Sequence, residues 1–367
     1  MERTFYNELV EKCLQVEHSR DGGETLSDEV CLQVLTSPEV ELLPLLDAAY
    51  QVRKKYTGKE VMLHIINNAQ NGYCPEDCYY CAQAKSSNAT IEKYPMKPDE
   101  EILAEAQRAY ESGAYRYCMV FAGRGPSKKR IAHLAKLIKE IKSRYPIRVC
   151  LSAGLVDREG AQILKGAGLD RLNHNLNTSE AHYPNICTTH TYTERINTLK
   201  AAQGAGIELC SGIIVGMGEK ADDIIEVAKT LRRLKVPSIP VNFLIPIQGN
   251  VLSHPPALSP EYCLRVLCLY RFLNPEAEIR VAAGREMHLR SMEVMALYPA
   301  NSLFVEGYLN IKGASRTRTL RMIKDAGFTI KAERSLEEFL RQEENGLTVD
   351  EHQSSMKDIN DLRPHLQ

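Results

Sequence analysis

The sequence predicts an α/β chain: a (βα)8 TIM-type barrel with an N-terminal helical extension and a polar C-terminal tail. Three observations predict it. From Val61 onward, a short apolar run, a polar or Gly-containing joint and an amphipathic helical stretch follow one another eight times. The units recur every 25–40 residues or so, roughly the scale of a supersecondary repeat. Alternating strands and helices imply a parallel sheet, and eight such units close most simply into a barrel. The third observation is the loop after the first run. It carries three cysteines where an open doubly wound sheet would normally carry a Gly-rich phosphate loop. The open sheet remains the fold alternative.

The elements follow in order. Residues 1–58 read as a helical extension. Ser27 and Ser37 are candidate N-caps, and Pro38 suits a first helical position. Leu42, Leu43, Leu45, Leu46, Ala49 and Val52 form an apolar stripe that ends at Gly58. The barrel is expected over 59–330, with strands at 61–66, 115–121, 147–152, 171–176, 207–215, 239–245, 279–283 and 302–305. Helices are expected at about 99–112, 128–144, 158–167, 191–204, 220–234, 260–273, 286–297 and 316–326. Thr191 with Glu194 has the form of a capping box, and Ser259-Pro260 marks another helix start. Residues 331–367 form the polar tail. Ser335 and Glu338 can cap one more helix there, and 354–367 has little to bury.

Composition narrows the function. A formal net charge of -1 over 367 residues gives no electrostatic case for nucleic acid or a membrane surface. No apolar run approaches the roughly 18 residues of a membrane helix. Residues 1–16 are too charged to read as a signal peptide. Eleven cysteines without an export signal point to a reducing, cytoplasmic setting and to metal chemistry rather than disulfides.

Cys74, Cys78 and Cys81 stand at C-x3-C-x2-C spacing, with no fourth cysteine or histidine nearby in sequence. Thiolates hold iron–sulfur clusters and structural zinc. A closed zinc site would want a fourth ligand, whereas a four-iron cluster on three thiolates leaves one iron open. A zinc knot and three unrelated thiols are the alternatives. The spacing, with Tyr80 just before the last cysteine, resembles the signature of the radical S-adenosylmethionine enzymes.

Unusual residues also fall on successive strands: Cys118, Cys150, Asn173 and Asn175 flanking His174, Cys210, Asn242 and Arg280. Strand side chains alternate, so the two asparagines face the same way and His174 faces the other. Singly, each cysteine is more often a small buried hydrophobe and Arg280 an ion-pair partner. Together they suggest a second metal cluster deep in the lumen.

The strings Tyr73-Cys-Pro-Glu-Asp-Cys-Tyr-Tyr-Cys81, Asn173-His-Asn-Leu-Asn-Thr-Ser179, Cys210-Ser-Gly-Ile-Ile-Val-Gly-Met-Gly-Glu219 and Arg280-Val-Ala-Ala-Gly-Arg-Glu286 resemble the biotin synthase family over roughly 56–310. The resemblance implies a [4Fe-4S] cluster on Cys74, Cys78 and Cys81 that cleaves S-adenosylmethionine. It implies an auxiliary [2Fe-2S] cluster on Cys118, Cys150, Cys210 and Arg280 as sulfur donor to dethiobiotin. It also implies that Tyr80 packs near the adenine and that Arg195 pairs with the methionyl carboxylate; the alternative for Arg195 is an exposed surface arginine. Asn175 would bridge the cofactor ribose and the substrate ring, which makes it the candidate catalytic residue, and Asn173 and Asn242 would hold that ring. The family usually has aspartate where this chain has Asn177, which puts the ribose contact there in question. The resemblance further implies a homodimer and an external electron donor. Two other readings stay open at this point. One is a related radical enzyme acting on another substrate. The other is an iron–sulfur carrier, which would need neither in-facing asparagines nor a closed lumen.

Overall fold

The apolar runs pair as parallel strands because each is preceded by a helix that carries the chain back. The computed structural model describes residues 3–15 and 26–343, so the expected looseness of 354–367 lies outside the described residues. The strands are β1 Glu60–Gln70, β2 Arg116–Phe121, β3 Arg148–Ser152, β4 Arg171–Asn173, β5 Glu208–Cys210, β6 Ile213–Val215, β7 Ser238–Phe243, β8 Glu278–Val281, β9 Ser302–Phe304 and β10 Thr329–Ile330. All ladders among them are parallel. The pairing of β1 with β9, Met62 opposite Ser302 and His64 opposite Phe304, closes the ring. β10 adds to the outer end of β1. The barrel is therefore the fold, and the open sheet is excluded.

The helices between strands are α4 Asp99–Glu111, α5 Lys128–Arg144, α6 Arg158–Gly166, α7 Tyr192–Gly204, α8 Ala221–Arg233, α9 Pro260–Leu273, α10 Arg285–Leu289 and α11 Arg316–Asp325. They follow α1 Arg3–Gln15, α2 Asp28–Thr36 and α3 Leu42–Thr57, and precede α12 Leu336–Glu343. The capping box at Thr191 and Glu194 forms, Ser259 caps α9, and Ser335 and Glu338 cap α12 reciprocally. Ser27 caps α2 through the Val30 amide. Ser37 instead ends α2: its hydroxyl accepts from the Glu39 amide, and α3 begins only at Leu42. Pro38 therefore sits in a turn. Leu43 leaves the apolar stripe at 66% exposure, while Leu45, Leu46, Ala49 and Val52 are buried. The stretch expected as one helix over 286–297 is α10 followed by a 3-10 helix, Arg290–Leu297, because Arg290 has φ 50 and breaks the α-helical run.

α1, α2 and α3 lie against α9, and α2 also against α8. This covering explains why α9 is buried on every side from Cys263 to Leu273. Cys263 and Cys268 pack within it, and Cys13 donates to the Phe272 carbonyl at 3.3 Å.

The fifth barrel strand is split into β5 and β6 by Ser211-Gly212. A Cβ at Gly212 would lie 1.8 Å from the Pro240 carbonyl oxygen, so only glycine lets the strand pass β7 here. Gly212→Ala is expected to lower the unfolding free energy by roughly 1–3 kcal/mol through overpacking. Denaturant titration checks this, and an unchanged midpoint would show that β7 moves aside freely.

Candidate active site at the barrel mouth and lumen

The loop that leaves β1 folds back over the barrel mouth, and two carboxylates inside the cysteine motif clamp it there. Asp77 accepts from the backbone amides of Thr188 and Thr189 at 3.0 and 3.2 Å and from the Thr188 hydroxyl. Glu76 accepts from the Thr189 hydroxyl at 2.6 Å, contacts His190 Nδ1 at 2.6 Å, and pairs with Arg124 at 3.3 Å. Burial works against both charges, but these hydrogen bonds hold Glu76 and Asp77 below the usual carboxylate range. Sequence reasoning missed this clamp; the acidic pair between Cys74 and Cys78 was its visible signal.

The clamp also brings Cys187, for which the sequence suggests no role, beside the motif. The Cys78 thiol donates to Cys187 Sγ at 3.8 Å, and Cys187 lies 3.2 Å from His190 Nδ1. Cys187 is the more acidic of the two thiols, because it accepts from Cys78 and is flanked by His190.

Cys74, Cys78 and Cys81 line a cavity of about 290 Å³ at the mouth. Tyr80, Asn173, Asn175, Asn177, Arg195 and Asn242 line the same cavity, so the expected cofactor and substrate residues share one space. Arg195 is only 7% exposed, which excludes a surface arginine. Its Nε donates to the Tyr183 hydroxyl, Nη1 to the Asn175 carbonyl at 2.7 Å, and Nη2 contacts His190 Nε2 at 2.8 Å. Asn177 has φ 70, a conformation asparagine tolerates better than most residues, and its amide donates to the Tyr80 hydroxyl at 2.5 Å. Asn242 donates to the Ile213 carbonyl at 3.0 Å and accepts from the Ala283 amide at 3.2 Å, tying β6, β7 and the end of β8 together. His174 is buried beside Arg195 and His190, and burial pushes its imidazole well below the ordinary range.

Below the cavity, Cys118, Cys150 and Cys210 meet in the lumen and pack against Ile66 and Phe304. Their strands alternate as period two requires, with Tyr117, Met119, Leu151 and Leu209 turned to the helices. Asn173 connects the two levels: its amide lies 3.2 Å from Asn175 Oδ1 and 3.2 Å from Cys210 Sγ. Arg280 Nη1 points at Cys210 Sγ from 3.7 Å, while Nε donates to Ser302 at 3.0 Å and Nη2 to Ser238 at 2.9 Å and to Glu278. Burial opposes the charge on Arg280, but Glu278 and Cys210 keep it protonated. Glu278 also takes Arg171 at 2.7 Å and His64 at 2.9 Å. This charged floor was not read from the sequence, because its members lie up to 216 positions apart, from His64 to Arg280.

The donor sets fit thiophilic metal centres. Every cysteine is outside a disulfide; the three lumen thiols and Cys78 are buried, while Cys74 and Cys81 are partly exposed at the cavity. The three lumen thiols do not ionise together: Cys118 is lowered by its hydrogen bond with Cys150, whereas Cys150 is pushed up to about 12, first through that same bond and further by burial and repulsion from Cys118, and Cys210 is pushed up as well. A cationic iron centre relieves that repulsion, since thiolate is the form that binds metal.

Known proteins match this arrangement. The radical SAM superfamily profile matches residues 71–231, and the Biotin and Thiamin Synthesis associated domain matches 240–329. The chain is 60% identical over 310 residues to biotin synthase of Magnetococcus marinus, covering 84% of this chain and 97% of the relative. It is 57% identical over 313 residues to biotin synthase of Acaryochloris marina, covering 85% and 90%. Methylornithine synthase superposes with a TM-score of 0.75 at 19% identity, covering 91% of this chain and 98% of that one. The FeFe-hydrogenase maturase HydG from Carboxydothermus hydrogenoformans gives 0.73 at 19%, covering 91% and 85%. At that identity these two show the fold alone.

The clamp makes a testable claim about the mouth. Asp77→Ala removes the acceptor of two backbone amides, at a cost on the order of 1–3 kcal/mol in local stability. Faster amide exchange at Thr188 and Thr189 is the expected readout. The pH dependence has a definite sign. Both folded-state values lie below the unfolded ones, so the stabilisation is full above the ordinary carboxylate value of about 4 and is lost as pH falls through the lowered values. Exchange that ignores Asp77→Ala, or protection that falls between about pH 8 and 5, would show that the clamp is not these carboxylates.

Proposed function

We propose, from the premise that this chain belongs to the biotin synthase family of the radical S-adenosylmethionine superfamily, a division of its residues between two cluster sites and one substrate cavity. The chain is a radical S-adenosylmethionine enzyme of biotin synthesis. Cys74, Cys78 and Cys81 hold a [4Fe-4S] cluster, and the lumen set Cys118, Cys150, Cys210 and Arg280 surrounds a [2Fe-2S] cluster. When bound, these groups supply the electron that cleaves S-adenosylmethionine and the sulfur that enters dethiobiotin.

The protein's part is to bind, orient and exclude water. Arg195, already fixed on three sides, offers its cavity-facing charge to the methionyl carboxylate. Tyr80 and Asn177 lie together where the nucleoside end would rest. Asn175 lies between that end and the substrate ring, and Asn173 and Asn242 hold the ring's ureido group, since an amide offers both donor and acceptor. Phe121, Phe243, Leu244 and Leu309 make the cavity walls apolar, which keeps water from a reactive radical. The observation that carries this reading is Asn173. It lines the cavity that holds the three motif cysteines and also touches Cys210, so a substrate on it lies between the two thiol sets.

The barrel over 59–330 carries all of these groups, with 1–58 and 331–367 as additions to it. A homodimer in the cytoplasm, reduced by an external electron donor at the mouth, completes the proposal. Among the described residues no helix is long and apolar enough to cross a membrane.

Five variants in three sets test the reading. Cys74→Ala, Cys78→Ala or Cys81→Ala is expected to abolish 5′-deoxyadenosine formation while the barrel still folds. Full cleavage activity in any of them refutes the motif assignment. Cys210→Ala is expected to lose iron and sulfide by the share of one small cluster and to keep cleavage of S-adenosylmethionine without making biotin. A simple packing role predicts only a loss of roughly 1–2 kcal/mol in stability with metal and product unchanged. Asn177→Asp is expected to bind S-adenosylmethionine as tightly or more tightly, because a carboxylate accepts from two hydroxyls with charge assistance. A large loss of affinity in equilibrium binding would show that the site is built around the amide.

A further inference from the structure

We infer that Cys187 is the resolving thiol for Cys78: once peroxide has removed the motif cluster, the two close a reversible disulfide that keeps Cys78 recoverable. The inference rests on the proposed place of Cys78 in the motif cluster. The two sulfurs stand 3.8 Å apart, in van der Waals contact. The backbones beside them are already tied together. The Tyr79 amide donates to the Ile186 carbonyl at 3.0 Å, and the Thr188 amide donates to Asp77 at 3.0 Å. Closing to the roughly 2.05 Å of a disulfide therefore asks for side-chain rotation and a small approach, with no loop to carry across. The Cys187 thiol gives its hydrogen to Asp77 Oδ1, 3.3 Å away, and accepts from Cys78, so a sulfur lone pair faces Cys78.

The pairing is particular to Cys187. Among the described residues, Cys78, Cys187 and His190 bring their ligand atoms within 4.8 Å of one another, whereas Cys74, Cys78 and Cys81 do not do so as a group. A single metal ion on the first three is disfavoured by the histidine. Arg195 Nη2 can only donate, so His190 Nε2 accepts from it at 2.8 Å; the ring hydrogen then sits on Nδ1 and goes to Glu76 at 2.6 Å. No imidazole lone pair remains for a metal, which leaves the two sulfurs. Access sets the order of events. Cys78 lines the cavity, while Cys187 is 3% exposed against it. Hydrogen peroxide in the cavity meets Cys78 first: its O–O bond breaks, the Cys78 sulfur is oxidised by two electrons to sulfenic acid, and one water leaves. Cys187 sulfur then attacks Cys78 sulfur, the S–O bond breaks, and the hydroxyl leaves with the Cys187 proton as a second water. A dithiol reductant returns both thiols. Without Cys187, further peroxide carries Cys78 on to sulfinic acid, which thiols do not reverse.

The test treats the full-length, cluster-loaded protein with hydrogen peroxide, alkylates free thiols, and maps the cysteine peptides by mass spectrometry. A second sample is then reduced with dithiothreitol and reloaded with iron and sulfide. The expected result is a Cys78–Cys187 peptide in excess of any other pair containing Cys78, and recovery of most of the motif iron. Cys187→Ala and Cys187→Ser are expected to load iron as the unaltered protein does before peroxide. After it they are expected to show Cys78 as sulfinic acid and to regain several-fold less iron. Cys78 linked mainly to Cys74 or Cys81, or recovery in the two variants equal to that of the unaltered protein, overturns the inference and leaves the proposed function standing. If Cys78→Ala keeps motif iron and cleavage of S-adenosylmethionine, Cys78 is no cluster ligand and both fail. Should neither Cys187 variant fold, the peptide map of the unaltered protein still decides, since a Cys78 not joined to Cys187 there overturns the inference.

Discussion

The lumen is organised around one buried carboxylate, Glu278. An isolated charge at 5% exposure would be strongly unfavourable, so it persists only because partners surround it. Burial disfavours its ionised form, yet Arg280, Arg171 and His64 hold it well below the ordinary range. These partners come from β8, β4 and β1, and Ser302 on β9 adds a hydrogen bond at 3.0 Å. One side chain thus joins strands on different sides of the ring, including the pair that closes it. The lumen thiols inherit their surroundings from this arrangement. Arg280 reaches Cys210 and His64 reaches Cys118 from positions that Glu278 sets.

Much of the architecture was legible because its signals are local. A strand shows its face by alternation and a helix shows its ends by caps, and both lie within a few residues. Thr191, Ser259 and Ser335 act as read, and Cys118, Cys150 and Cys210 come together from strands two, three and five as alternation requires. The failures are instructive in the same terms. Ser37 carries the residue type of an N-cap, but a serine hydroxyl also closes a short turn two residues on, and that use prevails. The break at Arg290 has no sequence mark, because nothing about arginine announces a positive φ. The floor was invisible for another reason. Arg171 and Glu278 look like ordinary strand-end polar residues, and His64 like a lone histidine within a strand, until closure brings them together.

The mouth shows a second non-local device. Nothing in the sequence assigns Cys187 a role, yet the loop that carries it and His190 is what holds the cysteine motif in place. Glu76 and Asp77 pin the motif to 187–190, and Arg195, at the start of α7, continues the chain of contacts from His190 to Tyr183 and the Asn175 carbonyl. The motif, the neighbouring loop and the fourth strand's asparagines are therefore one connected unit. A change at Glu76 has a direct physical route to Asn175 through His190 and Arg195.

This connection bears on how the cavity works. Its asparagines are already hydrogen-bonded: Asn177 with Tyr80, Asn173 with Asn175 and Cys210, and Asn242 with the Ile213 carbonyl of β6 and the Ala283 amide just past β8. Side chains fixed this way lose little conformational freedom when a ligand arrives, so more of the contact energy appears as affinity and orientation. Orientation matters here beyond affinity. A radical abstracts the hydrogen nearest to it, so selectivity for one unactivated carbon rests on placement. On the proposed reading the interlocked asparagines would supply that placement, and Asn173, touching both the cavity and Cys210, would set the substrate at the depth at which the lumen thiols begin.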